Sequence, residues 1–291
     1  MRIKENEQLR NQIEECTRIL QSKPDDQNTL NKRGVHRFYL KDYDGALKDY
    51  QSAIHADPNF VKGYFNIGRL YQDLEDYEKA LDYYNKTIKL NPLHAEAYCN
   101  MGIIYTERDK DDLAIKYFNK SIAINPIMSI AYNNRGMVYK SRKVYHQALK
   151  DLNAAIKLEG DQSYYWANRG LIKKASGDNI GAVYDFSKAI ELNPTVMSSY
   201  LHRGISLYSI ESFKNALEDL NACLKMNTKC SDAYYYRGLV KFNLEDYEGS
   251  IKDLIKAYEN SKIRREYTKI ESHVINGENM FSRTKQPKIA N

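Results

Sequence analysis

Little in this sequence points to a cofactor, a metal site or a disulfide framework. The six histidines are scattered, and there is no His-Glu-x-x-His motif, Walker loop or dinucleotide fingerprint. Only four cysteines occur, Cys16, Cys99, Cys223 and Cys230, and their spacing matches no metal or disulfide pattern. We therefore expect free thiols in a reducing compartment, and neither a cofactor nor catalytic activity.

Long apolar runs are also missing. No stretch approaches the ~20 residues that a membrane span needs, and the polar start of the chain does not resemble a secretory signal. The net charge of +6 is modest for 291 residues and does not by itself indicate nucleic-acid binding. We expect a cytoplasmic protein without membrane insertion and without a small-molecule substrate.

What the sequence does contain is a strict internal repeat. A glycine recurs every 34 residues without a slip, which is the interval of a two-helix repeat. Apolar residues recur at helical spacing in two runs per unit, separated by a polar break. Glycine in mid-helix costs about 1 kcal/mol against alanine, so seven in register imply a close helix approach. The glycines are Gly34, Gly68, Gly102, Gly136, Gly170, Gly204 and Gly238.

Other positions keep the register of this glycine. A large residue precedes it by four positions, a small residue follows it by twelve and a bulky one by sixteen, and a proline closes most units. The large residues are Leu30, Tyr64, Tyr98, Tyr132, Trp166, Tyr200 and Tyr234. The small residues are Ala46, Ala80, Ala114, Ala148, Ala182, Ala216 and Ser250. The bulky residues are Tyr50, Tyr84, Phe118, Leu152, Phe186, Leu220 and Leu254, and the prolines are Pro58, Pro92, Pro126 and Pro194.

This pattern resembles the tetratricopeptide repeat family, and the resemblance covers residues 27–262 as seven full repeats. It implies an all-α fold, a right-handed superhelical solenoid of antiparallel helix pairs. Pro24 keeps the proline register, so residues 1–26 are predicted to be an N-terminal helix from a partial repeat. We expect a C-terminal capping helix at residues 263–275 and, because periodicity ends there, a disordered tail at residues 276–291.

One correlation predicts a contact inside the repeat. Arginine precedes the glycine in five units, and the same five have aspartate one position before the bulky residue. Because both residues are replaced together in the other two units, we predict an ion pair between the two helices of one repeat. The pairs are Arg33–Asp49, Arg135–Asp151, Arg169–Asp185, Arg203–Asp219 and Arg237–Asp253.

The ends of the second helix in each unit are marked as well. A residue that caps a helix N-terminus opens the second helix in five units. The prolines are expected to stop the same helices at their other end. The predicted caps are Asp42, Asp76, Asp178, Ser212 and Asp246.

Function is expected from residues that the fold does not use. In a stack of helix pairs the first helices line a concave wall, and one inward position lies two residues before each glycine. Four consecutive units have asparagine there, Asn66, Asn100, Asn134 and Asn168, which we call the asparagine ladder. An amide donates and accepts hydrogen bonds, which suits the backbone of an extended peptide. The alternative is that asparagine is simply common at this position in the family.

The rest of the predicted groove changes character along its length. Its middle is basic, and its C-terminal part is aromatic with apolar neighbours that include Leu201 and Ile205. Exposed apolar surface with a polar rim is typical of a protein interface, unless the final helix covers it. The further predicted peptide-binding residues are Lys140, Lys174, His202, Tyr208, Tyr235, Tyr236 and Phe242.

These patterns predict a non-catalytic adaptor or scaffold that binds an extended peptide or a helix of a partner protein in the concave groove. The alternative is a structural subunit of a larger multiprotein assembly, or a self-associating repeat protein. Single-stranded RNA is a weaker candidate, because Glu96, Glu107 and Asp232 would repel phosphate in the groove. The carboxylate clamp of the family's co-chaperones is not favoured either, since the positions that would supply its cations carry other residues, such as Glu96 and Asn100.

Overall fold

The computed structural model describes residues 2–261, with side chains from residue 6 onward. All regular secondary structure in this part of the chain is helical. The chain divides into two compact units, Met1–Val138 and Tyr139–Asn291. The predicted all-α class and the two-helix repeat are confirmed. The capping helix predicted at 263–275 and the tail predicted at 276–291 lie outside the described residues.

The described helices follow the 34-residue register. The first helices of the repeats are α2 (Gln27–Tyr39), α4 (Val61–Asp73), α6 (Ala95–Glu107), α8 (Ser129–Ser141), α10 (Ser163–Ala175), α12 (Met197–Ser209) and α14 (Ser231–Asn243). The second helices are α3 (Tyr43–Ala56), α5 (Tyr77–Leu90), α7 (Asp111–Ile124), α9 (Tyr145–Leu158), α11 (Asn179–Leu192), α13 (Phe213–Met226) and α15 (Tyr247–Asn260). One further helix, α1 (Arg2–Ser22), precedes them.

Helix α1 is amphipathic and packs on the first repeat. Cys16 and Leu20 are buried, and Leu20 joins a core cluster with Leu30 of α2 and Ala53 of α3. Leu9, Ile13, Cys16 and Leu20 recur at helical spacing, and the face that they form is the less exposed face of α1.

Six of the seven repeat glycines, all except Gly136, are seen to face the bulky residue of their own repeat. A Cβ atom built on Gly68 would lie 2.7 Å from Cε1 of Tyr84, and one built on Gly102 would lie 2.7 Å from Cε1 of Phe118. A real Cβ atom does not tolerate such a distance, so the ring occupies the space that a side chain would need. The close helix approach inferred from the repeated glycine is therefore confirmed at these positions.

The turn between the two helices of a repeat has the same backbone in all seven units. One residue has a positive φ, for example 65° at Lys41, and only Gly177 among the seven is a glycine. The N–H of Lys41 donates to the carbonyl of Phe38, and the N–H of Asp42 donates to that of Arg37. These two bonds satisfy carbonyls that the end of the first helix leaves open.

The residue after this turn begins the second helix. The side chains of Asp42, Asp76, Asp178 and Asp246 each accept a hydrogen bond from the backbone N–H three residues later, as predicted. The prediction is wrong for Ser212, whose side chain does not cap α13. Its hydroxyl accepts a hydrogen bond from the Asn215 side chain instead.

The second helices do not need proline to end. Helix α13 ends at Met226 although Thr228 stands where other units have proline. Asn227 Oδ1 accepts the N–H of Lys229, as Asp57 Oδ1 accepts that of Asn59 ahead of a proline-containing turn. A side chain that holds the backbone two residues on offers it an alternative to further helix. Both the aspartate or asparagine after the helix and, where present, the proline therefore help to end the second helix.

The predicted ion pair joins the two helices of a repeat. The guanidinium of Arg203 on α12 donates to both carboxylate oxygens of Asp219 on α13 at 2.7 Å. The same paired geometry holds Arg169 and Asp185 at 2.8 and 2.7 Å. The pairs confirmed in this way are Arg33–Asp49, Arg169–Asp185, Arg203–Asp219 and Arg237–Asp253. Arg135 and Asp151 belong to different units, and their pair stays a prediction.

The same arginines also reach backward to the preceding second helix. Nη1 of Arg203 donates to Ser187 Oγ on α11 at 3.0 Å, while its other nitrogens hold Asp219 on α13. One guanidinium therefore ties the second helices of two successive repeats together, and we call such a residue a bridging arginine. The contacts to the preceding helix are Arg33–Thr17, Arg135–Asn119, Arg169–Asn153, Arg203–Ser187 and Arg237–Asn221.

Candidate functional site

Asn66 is the first residue of the asparagine ladder and lies in the first unit, where its side chain is buried. Only 8% of the Asn66 surface is exposed, and its Nδ2 donates to Oδ1 of Asn31 on α2 at 2.8 Å. Asn66 therefore links two neighbouring first helices, α2 and α4. Little of its amide is left for a partner.

The next two ladder positions also form internal hydrogen bonds. Nδ2 of Asn100 donates to the hydroxyl of Tyr84 at 3.0 Å, and that hydroxyl donates to Gln72 Oε1 at 2.6 Å. Oδ1 of Asn134 accepts from Nδ2 of Asn133 at 3.0 Å. Both ladder residues are half-buried. Among the described residues, Oδ1 of Asn100 and Nδ2 of Asn134 have no hydrogen-bond partner, so these atoms can serve a ligand.

In the second unit, a pocket of about 240 Å³ opens between α10 and α12. The fourth ladder residue, Asn168, and the next residue in the same register, His202, both line it. Most of its wall is apolar, and the ring of Phe186 lies 5.8 Å from the His202 ring. The lining residues are Ser163, Tyr164, Ala167, Asn168, Leu171, Phe186, Val196, Ser198, Ser199 and His202. Pockets for whole small molecules usually start at about 300 Å³, so this volume suits a single side chain better.

Basic side chains influence the His202 end of this pocket. Nζ of Lys174 lies 3.5 Å from Nδ1 of His202. Burial, followed by the charges of Lys174 and Lys140, lowers the pKa of His202 to about 4, so the imidazole is neutral at pH 7. Burial and the charge of Lys140 also lower the pKa of Lys174, while the charge of Asp232 acts in the opposite direction. Of the two predicted basic residues, Lys174 therefore lies directly beside His202, and the charge of Lys140 also acts on this imidazole.

The predicted aromatic residues do not form a single pocket. Tyr236 packs edge to face against Tyr208 and against Tyr235, with ring centroids 5.9 and 5.3 Å apart. Phe242 packs against Tyr247 of the following helix instead, at 5.5 Å. All four predicted residues are half-buried, so each keeps part of its ring at the surface.

Two apolar residues expected in this part of the groove belong to the core. Only 6% of Leu201 and 8% of Ile205 are exposed, and both lie in a cluster with Ala216 and Leu220 of α13. The expectation was wrong because a first helix contacts both its own second helix and the neighbouring repeats. Its inward stripe is therefore narrower than the helical period suggests.

Sequence reasoning missed the pocket between α10 and α12. Its lining comes from two first helices, from Phe186 on α11 and from Val196 before α12. The pattern assigned Phe186 to the core only, and Phe186 is fully buried as well as lining the pocket. The available signal was Asn168 itself, as a member of the asparagine ladder. The ladder indicated an exposed surface and gave no indication of a cavity.

Two other kinds of feature are absent from the described residues, a membrane-spanning helix and a metal-binding cluster. No helix among them is both long and apolar enough to cross a membrane. Within the same residues, no group of three or more histidine, cysteine or acidic side chains is arranged to hold a metal ion.

Comparison with family models identifies the class of protein. Models described as tetratricopeptide repeats match residues 61–93, 95–127, 130–162 and 201–264, and a model described as a TPR repeat matches residues 36–75. Together these matches cover more than half of the chain. The chain belongs to the tetratricopeptide repeat family, whose members are in general protein-interaction scaffolds.

Solved structures share this fold at low sequence identity. The Cut9–Hcn1 hetero-tetramer of the APC/C matches with a TM-score of 0.69 and 14% identity, over 90% of this chain and 52% of that chain. PilF of Pseudomonas aeruginosa matches with a TM-score of 0.66 and 19% identity, over 73% and 97% of the two chains. YrrB, described as a TPR protein with an unusual peptide-binding site, matches with a TM-score of 0.56 and 19% identity, over 65% and 97%. No curated protein matches the sequence.

Proposed function

We propose that the protein is a non-catalytic adaptor whose first helices hold an extended segment of a partner protein. In the second unit, the pocket beside Asn168 and His202 receives one side chain of this segment. In the first unit, the free amide atoms of Asn100 and Asn134 bind backbone groups of such a segment. Asn66 contributes less than the notion of a continuous ladder suggests, because it is buried.

The pocket between α10 and α12 is the observation that carries this proposal. It combines apolar walls with polar groups from Asn168 and His202, which is the composition of a site that selects a side chain and orients it. Family membership supports a protein as the ligand. The peptide-binding site named for YrrB and the multiprotein complex named for Cut9–Hcn1 support the same reading, although both likenesses rest on the fold.

Photo-crosslinking from two matched tyrosine positions tests this proposal. Tyr164 lies on α10 at the pocket and is 41% exposed, whereas Tyr184 lies on α11, the second helix of the same repeat, and is 56% exposed. A photoreactive phenylalanine analogue replaces either residue, and the full chain is irradiated in native lysate. We expect protein adducts from position 164 in clear excess over position 184. Peptide mapping of these adducts identifies the partner segment.

Two results would count against groove binding. Equal adduct yields from both positions, or a larger yield from position 184, would move binding to the second helices. Once the partner segment is mapped, an unlabelled copy of it should also suppress the adduct at position 164. An adduct yield that this competitor does not change would be the second contrary result. Circular dichroism of both substituted proteins controls for correct folding.

We also propose a cytoplasmic location. Cys16, Cys99, Cys223 and Cys230 are all free thiols, and the first three are buried. Unpaired thiols are typical of a reducing compartment. Fractionation of the source cells, followed by detection of the intact chain, tests this location.

A further inference from the structure

Lys140 and Lys174 occupy the same repeat position on two successive first helices, four residues after Gly136 and Gly170. Lys140 stands near the end of α8, and Lys174 near the end of α10. Both are half-buried, and among the described residues neither forms an ion pair. The adjacent residue Lys173 differs, because its Nζ lies 3.0 Å from Oδ2 of Asp185. Of these two neighbouring lysines on α10, Lys173 therefore has an ionic partner, whereas Lys174, which faces His202, has none among the described residues.

The charges around these two lysines do not cancel. Their common repeat position puts Lys140 on the helix that precedes α10, and the charge of Lys140, after burial, lowers the pKa of Lys174. Asp232, an exposed residue in the first turn of α14, opposes this effect but acts less strongly than Lys140. His202 is neutral and adds no positive charge at pH 7. A ligand anion would relieve the repulsion between the lysines.

We infer that Lys140 and Lys174 bind the carboxylate of an aspartate or glutamate side chain on the partner segment. The apolar pocket lined by His202 receives a hydrophobic side chain of the same segment. This inference rests on the proposed function and deepens it, since it names the chemistry of the partner. His202 both lines the pocket and contacts Lys174, so the two subsites adjoin. An extended chain advances about 3.3 Å per residue, which places the two partner residues within roughly three positions of each other.

Selection from a random dodecapeptide library displayed on phage tests this chemistry without a known partner. The full chain is compared with the Lys140→Gln/Lys174→Gln variant. A matched control, Lys157→Gln/Lys214→Gln, removes the same charge from exposed lysines on the second helices α9 and α13. All three proteins should fold, because neither substituted lysine pair forms an ion pair among the described residues. Thermal unfolding followed by circular dichroism checks this point.

The expected result is a pool enriched in an acidic residue close to an apolar one, for the full chain and for the control. The Lys140→Gln/Lys174→Gln variant should keep the apolar preference and lose the acidic one. An apolar preference without an acidic one in the full chain would overturn the carboxylate subsite and leave the proposed adaptor function standing. Acidic enrichment that persists in the Lys140→Gln/Lys174→Gln variant would do the same. Failure of the full chain to select any peptide would overturn both.

A double-mutant cycle then assigns the contact. A synthetic peptide from the selected pool is measured with its acidic residue intact or changed to the amide, against the full chain and the Lys140→Gln/Lys174→Gln variant. Each single change should weaken binding about tenfold, in line with close charge pairs at interfaces. The two changes together should weaken it little more than either alone, because both remove the same interaction. Additive losses would overturn the pairing.

Discussion

Tyr71 and Tyr83 stack with their ring centroids 5.7 Å apart. In the fifth repeat, the same two positions are occupied by Lys173 and Asp185, which form an ion pair. The next repeat has the same arrangement in Tyr105 and Tyr117, at 5.2 Å. The second and third repeats therefore join their two helices through stacked rings. The first, fifth and seventh repeats have ion pairs at the same two positions, namely Arg37–Asp49, Lys173–Asp185 and Lys241–Asp253. Stacked rings and ion pairs require different residue types at several positions, so a single substitution does not convert one kind of link into the other.

The Arg203–Asp219 pair offers the cleanest test of the charged solution. Among the described residues Asp219 has only Arg203 as an ionic partner, whereas Asp49 has both Arg33 and Arg37. Arg203→Leu leaves a carboxylate that is only 6% exposed without a cation. We expect a loss of about 3 kcal/mol in the free energy of unfolding, measured by urea titration.

The matched control removes both charges. The Arg203→Leu/Asp219→Tyr variant should lose less stability than Arg203→Leu, since no charge is then left buried and a ring fills the space. If both variants lost the same stability, the pair would contribute through packing alone.

Gly68 faces the ring of Tyr84 too closely for any side chain. The Tyr84 ring is also fixed by its hydrogen bonds to Gln72 and Asn100, so it cannot easily move aside. Gly68→Ala should lower the free energy of unfolding by about 1–3 kcal/mol, as overpacking of a core does. The melting temperature reports this loss.

Gly204→Ala is the comparison. A Cβ atom there would lie 3.0 Å from Cγ of Leu220, an aliphatic side chain that can change rotamer. Its loss should be smaller than that of Gly68→Ala. A larger loss at Gly204 would contradict the role given to the ring.

His202 should make the protein less stable in mild acid. Its folded pKa is about 4, below the ordinary value of 6.5. Between these values the unfolded chain binds more protons, so the contribution is fully present above pH 6.5 and is lost as the pH falls toward 4. His202→Asn removes this dependence. Urea titrations at pH 7 and pH 4.5 should show a smaller drop for the variant, by on the order of 1 kcal/mol once partial exposure is discounted.

Two other histidines provide an internal check. Burial also lowers the pKa of His36 and of His94, and both remain in the His202→Asn variant. The difference between the two proteins therefore isolates His202. An identical pH dependence in both proteins would show that the imidazole titrates near its ordinary value in the folded state.

The four cysteines should differ sharply in reactivity. The pKa of Cys230 is lowered by a hydrogen bond from the Cys223 thiol and by backbone N–H groups at the start of α14. Burial raises the pKa of Cys99 to about 12 and raises that of Cys16. Because the thiolate is the nucleophile, iodoacetamide at pH 7 should alkylate Cys230 first, as mass spectrometry of the digested protein will show.

Removing the partner thiol tests the cause of this reactivity. Cys223→Ala deletes the hydrogen bond to Cys230 and should slow its alkylation. Equal rates at Cys230 and Cys99 in the unmodified chain would contradict the expected order.

The sequence predicted contacts best where two repeat positions change together. The arginine before the glycine and its aspartate vary in step, and this variation located the Arg203–Asp219 pair without a structure. The glycine register likewise located the close approach of Gly68 to Tyr84. In both cases the contact lies within one repeat and recurs, so a single chain contains several independent instances of it.

Contacts that depend on neighbouring repeats were harder to predict. The burial of Asn66 depends on Asn31 of the preceding first helix, and the pocket beside Asn168 depends on the gap between α10 and α12. Neither follows from the period, because the period fixes which side of a helix faces inward but not how far two first helices stand apart.

The bridging arginines bear on how the repeats come apart. A repeat that opens must break the guanidinium contact to the second helix before it, so opening at one place weakens the next, and adjacent repeats respond together. Ile67 and Met101 stand at the arginine position in the second and third repeats and cannot make this contact. The first unit therefore has two repeat boundaries without a bridging arginine, which are held by packing and by other contacts such as Asn66–Asn31 and Asn100–Tyr84. We call these boundaries seams. Local opening, and with it the exchange of backbone amides with solvent, should begin at these seams.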